Sequence, residues 1–130
     1  MSWQAYVDTS LVSSGNIDKA AIFNSEGSSV WASSPGFTVA PAEIKAVVAS
    51  FADKEDVKKV QSEGFRIASE KFFTIKSDER SLYGKKGKEG VVIVKTQQAI
   101  LVAHYPEPVQ PGSAATTVEQ LGDYLISVGY

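Results

Sequence analysis

The chain has 130 residues, 43% of them hydrophobic and 22% charged, with a formal net charge of −2. That length supports one domain around one core and is short for two, and the near-balanced charge excludes a broad basic surface for nucleic acid or membrane, leaving room only for local anion sites. Cysteine is absent, which excludes disulfides, thiol catalysis and thiolate metal sites and fits a reducing cytosol.

The opening Ser2-Trp3-Gln4-Ala5-Tyr6-Val7-Asp8 carries neither a basic segment nor an apolar run, and no later apolar run approaches the ~18 residues of a membrane span. A soluble, unexported, cytoplasmic protein is expected, and with no repeat or linker in view residues 1–130 read as a single domain. From Trp3 to about Ser13 the spacing of Trp3, Tyr6, Val7 and Leu11 predicts a short amphipathic helix, stopped by Gly15-Asn16. Ala20 to Phe23 and Ser29 to Ala32 flank the turn-rich Asn24-Ser25-Glu26-Gly27 and predict a hairpin. Pro41 suits a first helical turn, and Ile44, Val47, Val48 and Phe51 follow it at helical spacing. The charged stretch Asp53 to Gly64, with Val57 and Val60 three apart, predicts at most a short surface helix.

From Phe65 onward, aromatic and β-branched runs at Phe72 to Ile75, Ser81 to Tyr83, Val91 to Val94 and Ile100 to Tyr105 predict a meander. Its separators are Ser77-Asp78-Glu79, Gly84 through Gly90, and Thr96-Gln97-Gln98. Pro106, Pro108 and Pro111-Gly112 then interrupt regular structure, after which Val118, Leu121, Leu125 and Val128 form one helical stripe down to Gly129. The order predicts an α+β domain, with helices on the faces of an antiparallel sheet.

Chemistry-bearing residues are sparse. His104 is the single histidine and sits in an apolar strand run, where a packed residue is the ordinary reading and a general base the rarer one. Asp53, Glu55 and Asp56 alternate with Lys54, Lys58 and Lys59, as on a solvated helix, so no metal site and no cofactor are expected. Gly84, Gly87 and Gly90 lie between strands, away from the helix N-terminus that a phosphate loop uses. Aromatic placement says more. Trp3 and Tyr6 stand one helical turn apart, Tyr124 and Tyr130 lie in the last segment, and Trp31 is on the second strand. If the N- and C-terminal helices lie side by side, these rings form an aromatic groove; the alternative is that they are core. Such a groove suits a proline-rich peptide, whose polyproline II form loses little entropy on docking. Between Lys76 and Lys95 the chain is locally basic through Arg80, Lys85, Lys86 and Lys88, either an ordinary solvated hairpin or a platform for an acidic protein surface or a phosphoinositide headgroup.

Three separated blocks resemble the profilin family in its plant and fungal form: Ser2 to Asp8; Ser81-Leu82-Tyr83-Gly84-Lys85-Lys86-Gly87 with Gly90 and Val94-Lys95-Thr96; and Tyr105-Pro106-Glu107-Pro108, Pro111-Gly112 and Val118 to Leu125. Asp53 to Gly64 departs from the pattern. The resemblance implies a central antiparallel sheet of about seven strands flanked by helices, with the N- and C-terminal helices paired on one face. It implies poly-proline binding at Trp3, Tyr6, Trp31, Tyr124, Leu125 and Tyr130, with formin-type partners. It implies binding of monomeric actin at Lys71, Lys76, Tyr83, Lys85, Gly90, Val109, Gln110, Gly112, Ala115, Val118 and Glu119. Some relatives carry arginine where Tyr83 stands and asparagine or lysine near Ala114 and Ala115, so the polar part of this contact is thinner here.

A monomeric, non-enzymatic adaptor follows as the expectation: one face caps an actin monomer, and the groove lets a proline-rich elongation factor capture it. Promotion of nucleotide exchange on actin and binding of phosphatidylinositol phosphates are further implications of the resemblance. Two other readings stand beside it. A trafficking scaffold of the longin or roadblock type also flanks a small sheet with helices but has no reason for Trp and Tyr at both termini, and a small hydrolase would pair His104 with Asp123 or a serine.

Overall fold

Every residue of Ala99–Tyr105 is buried, which a strand achieves only when both of its faces are covered. In the computed structural model, which describes residues 2–54 and 59–130, that strand is β7 of a single antiparallel sheet. The other strands are β1 (Lys19–Asn24), β2 (Val30–Ser33), β3 (Phe65–Ile67), β4 (Glu70–Ser77), β5 (Ser81–Lys86) and β6 (Glu89–Lys95), and the seven-stranded order is β2-β1-β7-β6-β5-β4-β3. From β3 to β7 sequential strands are neighbours, as short connections dictate; β1 closes against β7 with Ile22 opposite Leu101.

The helices divide between the two faces. On one lie α1 (Trp3–Ala5), which continues as a π-helical stretch (Tyr6–Leu11) and a 3₁₀ turn (Val12–Ser14), and α4 (Pro111–Ser127). Val7, Leu11, Val118 and Leu125 meet Ile22, Val92, Leu101 and Ala103 there. The opposite face carries α2 (Pro41–Ala52) and α3 (Lys59–Glu63), whose Ile44, Val47, Phe51 and Val60 meet Phe72, Val91, Ile93 and Val102. Strand alternation is what sends Leu101 to one layer and Val102 to the other. Each such side chain, fully buried, contributes about 1.5–3 kcal/mol.

The predicted helix from Trp3 to about Ser13 is present, widened in its middle, and it ends at Gly15 with φ of 82°, a left-handed cap that Gly accepts without strain. The first hairpin is present with its second strand one residue later, and the Asn24 side chain accepts from the Ser28 and Ser29 N–H groups to hold the turn. Val60 is the buried residue of α3; Glu55, Asp56, Val57 and Lys58 lie outside the described residues.

Two expectations are corrected. Gly84 through Gly90 is not one long turn: β5 runs to Lys86 and β6 resumes at Glu89, so Gly84 and Gly90 are strand residues. They are glycine because a Cβ at Gly84 would collide with the Phe65 ring and one at Gly90 with the Tyr105 hydroxyl. Nor does Pro111-Gly112 delay the last helix. Pro111 is its first residue, where a missing N–H costs nothing.

Candidate functional site

The ring cluster is assembled by pairing the N-terminal helical segment with α4 across β1 and β2. Trp3 is at the centre: its ring lies 4.6 Å from that of Trp31, 5.1 Å edge-on from Tyr130 and 5.6 Å from Tyr6, and Tyr6 lies 6.3 Å from Tyr124. Local chemistry fixes each contributor. The Ser2 hydroxyl accepts from the Ala5 N–H and starts the helix. The Gln4 side chain donates to the Ser33 carbonyl and ties that helix to β2. The Tyr130 carbonyl accepts from the Gln98 N–H and the Thr96 hydroxyl, holding the last ring over the sheet.

These residues are not equally accessible. Tyr124 and Tyr130 are 51% and 41% exposed, Trp3 and Trp31 are half-buried, and Tyr6 is 8% exposed. Burial, then a hydrogen bond with Tyr124 and the neighbouring phenols, raises the Tyr6 pKa, so its hydroxyl stays protonated. Leu125 lies deeper than the rings. It is fully buried in the core beneath the rings and supports them from below, with no surface of its own to offer a ligand.

The second residue set lies on the same side of the sheet, beyond the flank of α4. Cross-strand pairing puts Phe73, Lys85, Gly90 and Tyr105 in one row, and Lys76, Tyr83, Val92 and Ala103 in the next. The Lys76 ammonium sits 5.2 Å from the centre of the Tyr83 ring. The Tyr83 hydroxyl donates a short hydrogen bond to the Glu119 carboxylate, which also accepts from the Ser81 hydroxyl at 2.7 Å and from Arg80 at 3.1 Å. Burial and this bond raise the Tyr83 pKa well above its ordinary value. Val109 and Ala115 are half-buried against the core, and Gln110 and Gly112 are exposed at the start of α4.

Gly90 and Val118 are buried, as Leu125 is. Val118 is fully buried, and Gly90 lies under the Tyr105 hydroxyl, so both act through packing. Two exposed residues went unnoticed in the sequence. Phe73 and Ile75 on β4 are 68% and 57% exposed, beside exposed Lys71, whose ammonium lies 5.9 Å from the Phe73 ring. Their signal was a strand apolar on both parities, Phe72-Phe73-Thr74-Ile75, on β4, the strand next to the sheet edge.

The basic run is split by strand alternation. Lys85 pairs across the sheet with Phe73, whereas Lys86 reaches Glu70 at 2.7 Å. The dyad that a hydrolase would need is not formed: Asp123 pairs with Arg80 at 2.8 Å, and both ring nitrogens of His104 face the carboxylates of Asp18 and Glu89. A cavity of about 480 Å³ opens between β1, β2 and α2, lined by Phe23, Phe37 and Ile44 among others, and it includes none of the predicted site residues.

Comparison with known proteins bears on both residue sets. The profilin family matches over residues 1–130. The profilin of Schizosaccharomyces pombe is 50% identical, and profilin-2 of Acanthamoeba castellanii 48% identical, each over 130 residues and the whole of both chains. A crystal structure of the S. pombe protein superposes with a TM-score of 0.93, covering 99% of this chain and 100% of that one. The fold is shared more widely. Mouse profilin IIa, solved in complex with a double repeat from the FH1 domain of mDia1, is 20% identical with a TM-score of 0.79, covering 100% of both chains.

Proposed function

This chain belongs to the profilin family, whose members are non-enzymatic actin-binding proteins, and from that premise we propose that it is a cytoplasmic adaptor with two separate binding faces. One face takes monomeric actin. The other takes a proline-rich segment of an elongation factor of the formin kind, which thereby raises the local concentration of loaded monomers. Among the described residues no helix is long and apolar enough to cross a membrane.

The observation that carries the peptide site is the shared surface of Trp3, Trp31, Tyr124 and Tyr130, with Tyr6 closing it beneath. A polyproline II helix is a stiff rod with unpaired carbonyls. Flat rings give it apolar contact, while indole N–H and phenol O–H groups donate to those carbonyls. The actin face combines the apolar pair Phe73 and Ile75 with Lys71, Lys76, Lys85, Val109, Gln110, Gly112 and Ala115, an exposed apolar centre with a basic rim. Glu119 and Tyr83 hold each other, joining α4 to β5 beside that surface. Promotion of nucleotide exchange on bound actin belongs to this reading as well. Exposed Lys85 and Lys88 support salt-sensitive attraction of a phosphoinositide headgroup.

The peptide site is tested at Tyr124, because it is half exposed and its replacement leaves the core intact. Tyr124→Ala is expected to weaken binding of a proline-rich peptide by about tenfold, the loss typical of an aromatic anchor, with actin binding preserved. Indole fluorescence of Trp3 and Trp31 supplies the readout in the parent protein. Unchanged peptide affinity in Tyr124→Ala, or no fluorescence response in the parent, removes this assignment.

A further inference from the structure

We propose that Glu70, Glu89 and His104 form a binding site for a divalent transition metal ion of the zinc class. One histidine and two distant glutamates show no ligand spacing along the chain. Strand pairing brings them together. They stand on β4, β6 and β7, and one ligand atom from each lies within 4.8 Å of the others.

The arrangement around His104 points to a cation. Its ring is almost fully buried, and Nδ1 is 2.6 Å from the Asp18 carboxylate, so Nδ1–H donates to Asp18 in the tautomer assigned from that contact. That leaves the Nε2 lone pair facing the Glu89 carboxylate at 3.1 Å. Two acceptors at such a distance need a positive centre between them, either a second proton on the ring or a metal ion. A histidine whose far nitrogen is fixed by a carboxylate is the usual second layer of a zinc site. Tetrahedral zinc also sets its ligand atoms about 3.3 Å apart, so Nε2 and Glu89 already stand near the required separation and Glu70 has only to swing inward.

The surrounding charges agree. Asp18, Glu70 and Glu89 supply three carboxylates; the facing cations are Lys86, bonded to Glu70 at 2.7 Å, and Lys19, whose charge also acts on Glu70. Lys86 is half exposed and free to turn to solvent, and the side chains of Glu70 and Glu89 are 38% and 37% exposed, so an ion can enter. One nitrogen and two oxygens, with a fourth position left to water, suit zinc. Calcium and magnesium demand six or more oxygen ligands, which this site lacks.

The test is calorimetric titration of the whole protein with zinc chloride and with magnesium chloride, together with nitrogen NMR of its single imidazole. Zinc is expected to bind one ion per chain and to shift the Nε2 resonance, and magnesium to give no heat. Glu70→Gln and Glu89→Gln keep the fold because both positions are partly exposed, which circular dichroism checks, and each is expected to weaken zinc by tenfold or more, with Asp18→Asn weakening it about ten- to a hundredfold as a positioning residue. Lys86→Met, which removes the competing cation, is expected to tighten it. Absence of zinc binding in the parent, a doubly protonated ring that zinc does not disturb, or zinc binding undiminished in Glu89→Gln overturns the proposal.

Discussion

Tyr83 illustrates how one hydroxyl can join two elements and leave a signature in pH. Its O–H donates to Glu119 on α4 while its ring lies on β5 under Lys76. Burial first, and the bond to Glu119 second, raise its pKa above the ordinary 10.0. A group whose folded pKa is raised gives stability that is fully present below its unfolded value and is lost as pH climbs toward the folded one. Unfolding free energy should therefore hold steady below about pH 10, the unfolded phenol's range, and fall above it. Tyr83→Phe is expected to cost about 1 kcal/mol at neutral pH, a typical net hydrogen bond, since Glu119 keeps Ser81 and Arg80. The same variant should flatten the alkaline decline in part, because Tyr6 and Tyr105, also raised by burial, still contribute. Urea unfolding at a series of alkaline pH values decides it: an identical decline in both proteins would show that this phenol is not the group responsible.

Among the elements, the β3–β4 hairpin is the least expected. Its two-residue turn, Ala68-Ser69, has φ of 52° and 69°, the left-handed pair that matches strand twist but suits Asn-Gly. Each non-glycine residue there costs about 1 kcal/mol or more. Glu43 offsets the strain. Standing in the first turn of α2, its carboxylate accepts from the Ala68 N–H at 3.0 Å, the Ser69 N–H at 2.7 Å and the Ala40 N–H at 2.8 Å, capping a helix and a turn together. Replacing the pair by Ala68→Asn with Ser69→Gly should raise stability by about 1 kcal/mol, read as a higher midpoint in thermal unfolding; a lower midpoint would mean that the turn is not strained. The sequence could not show this hairpin, because Ala-Ser carries no turn signature. Gly84 and Gly90 erred in the other direction: glycine reads as a turn, yet these two make room for Phe65 and Tyr105, contacts visible only once the strands are paired. The element types and order were legible because period and punctuation are local properties. Exposure was not. Leu125, Val118 and Gly90 were placed in binding sites by resemblance, which carries position along a chain and says nothing of which side faces water, while the strand run from Phe72 to Ile75 does not itself tell that Phe73 and Ile75 are exposed.

At the scale of the whole molecule, α4 takes part in both proposed faces, which raises the question of whether one ligand feels the other. Its buried stripe of Ala114, Val118, Leu121 and Leu125 is seated on the sheet, and Arg80, in the turn just before β5, pins its exposed flank by contacts of 3.0 Å to Glu119 and 2.8 Å to Asp123. Glu119 and Tyr124 stand five residues apart, about 140° around a helix of 3.6 residues per turn, so they flank the buried stripe on opposite sides. A ligand shifts a distant site only through an element that has two arrangements of comparable energy. A close-packed helix with a locked flank lacks the second arrangement, because sliding it would open voids in the core. The two sites should therefore fill independently. Affinity for a proline-rich peptide is expected to stay within about threefold whether or not actin is bound, a coupling below the usual allosteric range. Lys85→Glu and Tyr124→Ala should each weaken their own ligand, and their effects should add in the double variant. Peptide titrations of the free protein and of its actin complex measure this directly: a change beyond tenfold would mean that α4 moves, and Arg80→Ala should then enlarge or abolish that change.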